Sequence, residues 1–255
     1  MLTVAYDGTN YNGWQIQPGV PTIEGVLNEQ LSKLLKEDIK VIGASRTDAG
    51  VHAEGAVAVF DTDSRIEGEK FSYALNQFLP DDIVIRRSEE VADDFHPRRV
   101  ACIKTYRYSI WHDIFPMPTM SRYKHWIHYP LQIGAMEEAA LFFRGEYDFA
   151  AFCAAATDVE STVRTITDIS VESSRQATLR EDGRLYYGNI DIMVSGNGFL
   201  YNMVRIIAGT IIEAGTGRIK PSDIPGIIES RDRSRAGDTA PAKGLTLVGY
   251  RYERG

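Results

Sequence analysis

Leu2 to Tyr6 alternate between apolar and polar positions, which predicts a first strand ending at the turn signal Asp7-Gly8. After Pro21, the residues Ile23, Val26, Leu27, Leu31, Leu34 and Leu35 share one helical face. That spacing predicts an amphipathic helix to about Lys36, with Thr22 as its N-cap. Val41-Ile42 and Ala56-Val57-Ala58-Val59-Phe60 read as strands on either side of a small, charged, turn-prone stretch. The stretch is Gly43-Ala44-Ser45-Arg46-Thr47-Asp48-Ala49-Gly50-Val51-His52-Ala53. It has the profile of a tight loop in which Gly43 and Gly50 let the backbone approach something closely.

A second helix is predicted from Glu69 to Phe78, stopping at Pro80-Asp81-Asp82, with strands following at Ile83 to Arg86 and Val100 to Ile110. Phe115-Pro116-Met117-Pro118 is a rigid connector and divides the chain into expected halves, 1–115 and 116–255. The second half predicts a helix from Ile133 to Phe143 and a strand pair, Ser161 to Val171 and Leu185 to Val194, joined through Glu181-Asp182-Gly183. Phe199 to Ala214 is apolar nearly all round, the signature of a buried helix. A short helix at Pro221 to Ser230 and a closing strand at Leu245 to Tyr252 complete the pattern. Strands and helices intermix with hairpin-like connections, so the expected class is α+β with mostly antiparallel sheet.

Composition is that of an ordinary folded chain, and it narrows the setting more than the chemistry. Two distant cysteines, Cys102 and Cys153, form neither a CxxC pair nor a disulfide framework, as suits a reducing compartment. No apolar run approaches the roughly 18 residues of a membrane span, and the first residues lack a signal-peptide pattern. A cytoplasmic protein is therefore expected. The net charge of −7 argues against a polyanionic partner until its distribution is considered. From His96 to Trp126, Arg98, Arg99, Lys104, Arg107, Arg122 and Lys124 face only Asp113, so this segment carries +5 and the remainder −12. Interleaved with Tyr106, Tyr108, Trp111, Tyr123 and Trp126, it is either a nucleic-acid footprint or the solvated face of a strand pair.

Several familiar chemistries are excluded by spacing. His52-Ala53-Glu54 has the form of a zinc deaminase ligand and proton shuttle, but the partner P-C-x-x-C is absent. Gly196-Asn197-Gly198 opens a helix like a dinucleotide fingerprint, yet Tyr201 stands at the third glycine position. The five histidines show no metal-ligand spacing. What remains is the pair Arg46 and Asp48, because a guanidinium keeps a nearby carboxylate ionised and available as nucleophile or base. Most such pairs on loops are solvated turn residues, and spacing alone favours that outcome. Arg205, inside the most apolar helix, needs a partner for its charge. Asp48 is one candidate; Glu213 or Asp191 in a structural pair is the one favoured by sequence alone.

The glycine-bounded loop also resembles the signature of the TruA family of tRNA pseudouridine synthases. Further blocks agree in order and spacing: Tyr6-Asp7-Gly8-Thr9 with Gly13-Trp14-Gln15, Ala74-Leu75-Asn76 with Leu79-Pro80, Phe95-His96, and Tyr106-Arg107-Tyr108. Later come Asp148-Phe149 with Phe152-Cys153, Thr162-Val163-Arg164-Thr165-Ile166, Gly198-Phe199-Leu200-Tyr201-Asn202-Met203-Val204-Arg205, and Ala240-Pro241-Ala242 with Gly244-Leu245. Phe115 to Trp126 and Ser173 to Arg184 are less distinctive, and differences in substrate are expected there.

The resemblance implies a pseudouridine synthase fold, two similar halves around a mostly antiparallel central sheet with flanking helices. It implies an isomerase, an intramolecular transferase, acting on uridines 38 to 40 of the tRNA anticodon arm as a homodimer without metal or organic cofactor. By the same resemblance Asp48 is the catalytic carboxylate, and Arg46 assists base flipping. Tyr106 stacks on the flipped base and is a candidate for proton transfer. Arg205 pairs with Asp48, and Leu245 lines the uracil pocket. Attack at C6, attack at C1′ and deprotonation at C2′ all remain open to the carboxylate. A non-catalytic RNA-binding module and a nucleoside glycosidase are the competing classes; the latter needs a second acid, which the central block lacks.

Overall fold

The computed structural model describes residues 1–154, 159–173 and 177–252. Residues 174–176 of the less distinctive Ser173 to Arg184 segment thus lie outside the described residues. In chain order the elements are β1 (Leu2–Tyr6), α1 (Ile23–Leu35), β2 (Ile42–Gly43), β3 (His52–Val59), α2 (Phe71–Leu75) and β4 (Ile83–Ser88). Then come β5 (Cys102–His112), β6 (His125–Ile127), α3 (Ile133–Leu141), β7 (Gly145–Asp148) and β8 (Val163–Ser173). The last are β9 (Thr178–Leu179), β10 (Leu185–Tyr186), β11 (Gly188–Gly196), α4 (Met203–Thr216), α5 (Ile224–Ser230) and β12 (Leu245–Tyr252). The chain forms two compact units, Met1–Cys102 with Thr246–Gly255, and Ile103–Leu245. They divide after Cys102, ahead of the 115/116 connector, and the closing strand returns to the first unit.

In the first unit the strand order is β4-β1-β3-β12, with β2 on β3. β1 pairs antiparallel with β3 and β4, β2 pairs antiparallel with β3, and β12 runs parallel to β3. The expected alternation of β1 holds: Leu2, Val4 and Tyr6 are buried between half-exposed neighbours. In α1, Ile23, Leu27 and Leu31 are fully buried, each stabilising the fold by roughly 2 kcal/mol. Thr22 accepts from the Gly25 N–H as the N-cap, and Lys36 ends the helix in a left-handed conformation. The second helix is shorter than its apolar pattern predicts. Just past it, the Asn76 side-chain amide donates to the Ile85 carbonyl and accepts from the Ile85 N–H, tying the end of the helix to β4.

In the second unit the order is β5-β11-β8-β7, antiparallel throughout, with β6 parallel to β5. The predicted pairing of β8 with β11 is present, but their connection carries a small ribbon, β9 with β10, that the pattern did not foresee. α4 is buried along most of its length and packs on α3. The approach is close: a Cβ on Gly215 would stand 2.7 Å from Met136 Cγ. α4 begins at Met203 rather than Phe199 because Asn202 takes a left-handed conformation, φ 59°, which an α-helix cannot pass through. Each unit is thus mainly antiparallel sheet with helices, the α+β class expected. Among the described residues no helix is long and apolar enough to cross a membrane.

Candidate active site

β2 ends at Gly43 and β3 begins at His52, so Asp48 and Arg46 sit on the connection between two neighbouring strands. The residues after β1 hold that connection from one side. Trp14 N–H donates to the Thr47 carbonyl at 3.0 Å, and Gly50 N–H donates to the Tyr11 carbonyl at 3.2 Å. The hydroxyls of Tyr6 and Thr47 are 2.8 Å apart. Gly8 N–H donates to His52 Nδ1 at 3.1 Å. Asp7 Oδ1 also stands 3.2 Å from that nitrogen. A nitrogen that accepts from Gly8 uses its lone pair, so in that tautomer the Asp7 contact is not a hydrogen bond.

Two close approaches explain the glycines of this region. A Cβ on Gly13, whose φ is +85°, would lie 2.4 Å from the Thr47 carbonyl oxygen; one on Gly43 would lie 2.4 Å from the Trp14 ring. Arg98 Nε donates to the Gly43 carbonyl at 2.8 Å, so one cation of the basic segment anchors the start of the loop. Thr47 is buried, Asp48 half-buried and Arg46 exposed. The backbone on both sides of Asp48 is therefore held by hydrogen bonds, and the residue itself is half-buried.

Tyr106, Arg205 and Leu245 belong to the second unit. Tyr106 is buried on β5 and meets Phe199 edge to face at 5.3 Å. Tyr108 is two residues along the same strand face. Its hydroxyl donates to the Pro241 carbonyl at 3.1 Å, and a Cβ on Gly244 would stand 2.7 Å from its ring. Burial pushes the Tyr108 phenol up, with Arg205 opposing. Arg205 Nε donates to the Ala240 carbonyl at 2.7 Å, and its Nη1 donates to Asn202 Oδ1 at 2.8 Å. The segment from Ala240 to Leu245 thus joins Arg205 to the β5 face of Tyr106 and ends at the buried Leu245.

The two acids favoured for Arg205 by sequence have other partners. Asp191 accepts from the Ser109 hydroxyl at 2.5 Å, and Glu213 Oε1 accepts from Asp238 N–H at 3.0 Å. Beside Tyr108, His125 packs edge to face at 6.2 Å. Burial, then the charge of Lys243, lowers its pKa to about 4, and its buried Nδ1 has no hydrogen-bond partner. Sequence reasoning assigned no role to Tyr6, Trp14, Thr47, Asn202 or Ala240. All of them stand in stretches quoted for the resemblance, Thr47 in the loop itself; only the tertiary contacts distinguish them from their neighbours.

The first unit carries Arg46 and Asp48, and the second carries Tyr106, Arg205 and Leu245. The family model described as tRNA pseudouridine synthase matches residues 2–98 and 139–253. The chain belongs to the tRNA pseudouridine synthase family, whose members isomerise uridine to pseudouridine. It is 52% identical over 251 residues to tRNA pseudouridine synthase A of Ruminiclostridium cellulolyticum, covering 98% of each chain. It is 47% identical to the protein of the same name from Acetivibrio thermocellus, again covering 98% of each. With that of Brevibacillus brevis it shares 44% identity over 96% of this chain and 95% of the relative. Its activity is that of a tRNA pseudouridine synthase.

Proposed function

We propose that the chain isomerises uridines 38 to 40 in the tRNA anticodon arm, with Asp48 as the nucleophilic carboxylate. The observation that carries this reading is the clamp around Asp48: Trp14 and Tyr6 bind Thr47 on one side, and Tyr11 binds Gly50 on the other. A solvated turn has no need of such fixing, whereas a nucleophile gains most from being held in one geometry. In the reaction the N1–C1′ bond breaks, leaving its electron pair on the uracil. The base turns, C5 joins C1′, C5 loses its proton and N1 gains one. No electron is gained or lost overall.

Arg205 is the cation that keeps Asp48 ionised, and Arg46 fills the space the flipped base leaves. Tyr106, backed by Phe199, stacks on the base and moves the proton from C5. Leu245 lines the uracil pocket. Base extrusion costs a few kcal/mol, which stacking and an inserted cation offset. The protein works as a cytoplasmic homodimer on this reading, with exposed Arg122, Tyr123 and Trp126 suited to RNA contact. Pseudouridine mapping of tRNA incubated with wild type or Asp48→Ala tests it. Modification at 38 to 40 is expected with wild type alone; equal modification by both proteins removes Asp48 from its role.

A further inference from the structure

We infer that Arg98 binds a backbone phosphate of the tRNA and joins it to the start of the Asp48 loop through one guanidinium. The inference rests on the reading above that this loop carries the reacting carboxylate, and it adds a substrate contact to that site.

Arg98 and the loop belong to the same unit. The residue sits in a short turn held from several sides. Arg98 N–H donates to His96 Nδ1 at 3.2 Å. The N–H groups of Arg99 and Val100 both donate to the His96 carbonyl, at 2.9 and 3.3 Å. Pro97 is buried, and Phe95 meets Tyr252 of β12 edge to face at 5.7 Å. Arg98 is thus an exposed residue on a well-tied backbone. Its side chain reaches back 55 residues, where Nε donates to the Gly43 carbonyl at 2.8 Å.

That bond decides what the rest of the guanidinium can do. Nε–H is committed to a neutral oxygen, which leaves the four N–H groups of Nη1 and Nη2 and the whole positive charge. Among the described residues Arg98 has no carboxylate partner and no other side-chain hydrogen bond. An exposed arginine held by one edge keeps a planar fork of donors that fits a phosphate oxygen pair. The substrate supplies that group, since most contacts to a nucleic acid go to its sugar–phosphate backbone. Charge agrees: Arg98 opens the segment that carries +5 in a chain of net −7. Gly43 and Asp48 are five positions apart, so the anchored carbonyl lies within about 18 Å of Asp48 even along an extended chain. A phosphate on Arg98 therefore belongs to the RNA arm whose base reaches Asp48, and seating it tightens the tie on the loop.

Binding of one tRNA transcript is measured against salt, together with single-turnover rates at saturating tRNA. A phosphate contact contributes roughly 0.7 to 0.9 to the slope of log affinity against log salt. Arg98→Gln removes the charge but keeps an amide that can donate to Gly43. Its slope should become shallower by about that amount, and its affinity at low salt should fall about tenfold. Arg98→Lys keeps the charge but has one ammonium for two tasks, so the slope should persist while the saturated rate falls about fivefold. Arg99→Gln removes an exposed cation with no tie to the loop, and should change the slope less than half as much as Arg98→Gln. Melting temperatures should stay within about 3 °C of wild type throughout.

A wild-type slope for Arg98→Gln would overturn the phosphate contact, and a lowered melting temperature beside it would make Arg98 a brace for the loop only. Equal slope losses in Arg98→Gln and Arg99→Gln would overturn the specific contact in favour of a general basic surface. A wild-type saturated rate for Arg98→Lys would remove the link between phosphate and loop. Salt slopes do not depend on the chemical step, so the premise fails separately, by modification that persists in Asp48→Ala.

Discussion

The hydroxyls of Tyr6 and Thr47 meet at 2.8 Å across 41 residues of sequence, in the buried interior of the first unit. Either hydroxyl can donate, and the other oxygen then accepts. It links the last residue of β1 to the residue before Asp48. A side chain at the end of a buried strand thereby fixes the peptide that carries the proposed nucleophile.

Tyr6→Phe keeps the ring against Trp14, 6.2 Å between centroids, and deletes only the hydroxyl. Thr47 is then left buried without that partner, which should lower stability by about 1 to 2 kcal/mol. The single-turnover rate should also fall, since the loop gains freedom next to Asp48. Urea midpoints and rates on one tRNA transcript measure both effects. An unchanged rate would show that Asp48 does not depend on this bond.

Gly13 and Gly19 offer a matched comparison. Both have positive φ, +85° and +78°, but a Cβ on Gly19 meets nothing within 4 Å whereas one on Gly13 strikes the Thr47 carbonyl at 2.4 Å. Gly19→Ala should cost about 1 to 2 kcal/mol through backbone strain alone. Gly13→Ala adds the clash and should exceed about 3 kcal/mol, with loss of activity. Equal shifts in urea midpoint would mean the approach of Gly13 to the loop is unimportant.

Arg205→Lys replaces a planar fork by a point charge. One ammonium cannot reproduce the Nε bond to Ala240 and the Nη1 bond to Asn202 together. The rate should fall by about a hundredfold, the scale seen when a fixed charge-stabilising donor is removed. Stability should fall by only about 1 to 2 kcal/mol, from the loosened tie to Ala240. Thermal melts and single-turnover rates separate the two. Near-wild-type turnover in the folded variant contradicts the pairing with Asp48.

His125 is expected to make the second unit sensitive to acid. Its pKa falls from 6.5 to about 4 through burial and then Lys243, so the folded chain holds the ring neutral where the unfolded chain protonates it. Between those values the unfolded state binds more protons, and stability rises with pH across the window. As pH falls through it, on the order of 2 kcal/mol of stability is lost. His125→Gln should flatten urea midpoints measured between about pH 4.5 and 7. An equally steep dependence in the variant would assign the acid sensitivity to other groups, of which His112, also lowered by burial, is the first to examine.

The local pattern was sufficient wherever one segment's own residues decide its conformation. The 3.6-residue period of Ile23, Leu27 and Leu31 places α1, and Thr22 caps it as expected. The bounds Leu245 to Tyr252 are those of β12, and a loop falls inside the Gly43 to Ala53 stretch, although Gly43 ends β2 and His52 and Ala53 open β3. Resemblance added chemical roles to Asp48, Arg46, Tyr106, Arg205 and Leu245. Tertiary structure decided the rest, through side-chain contacts that the hydrophobic period does not encode. Asn76 ties the end of α2 to β4, Asn202 delays α4 and turns to Arg205, and Ala240 holds the same guanidinium from 35 residues away. A hydrogen bond between distant residues leaves no period in the sequence, so Thr47 looks like any polar residue until Tyr6 is folded against it.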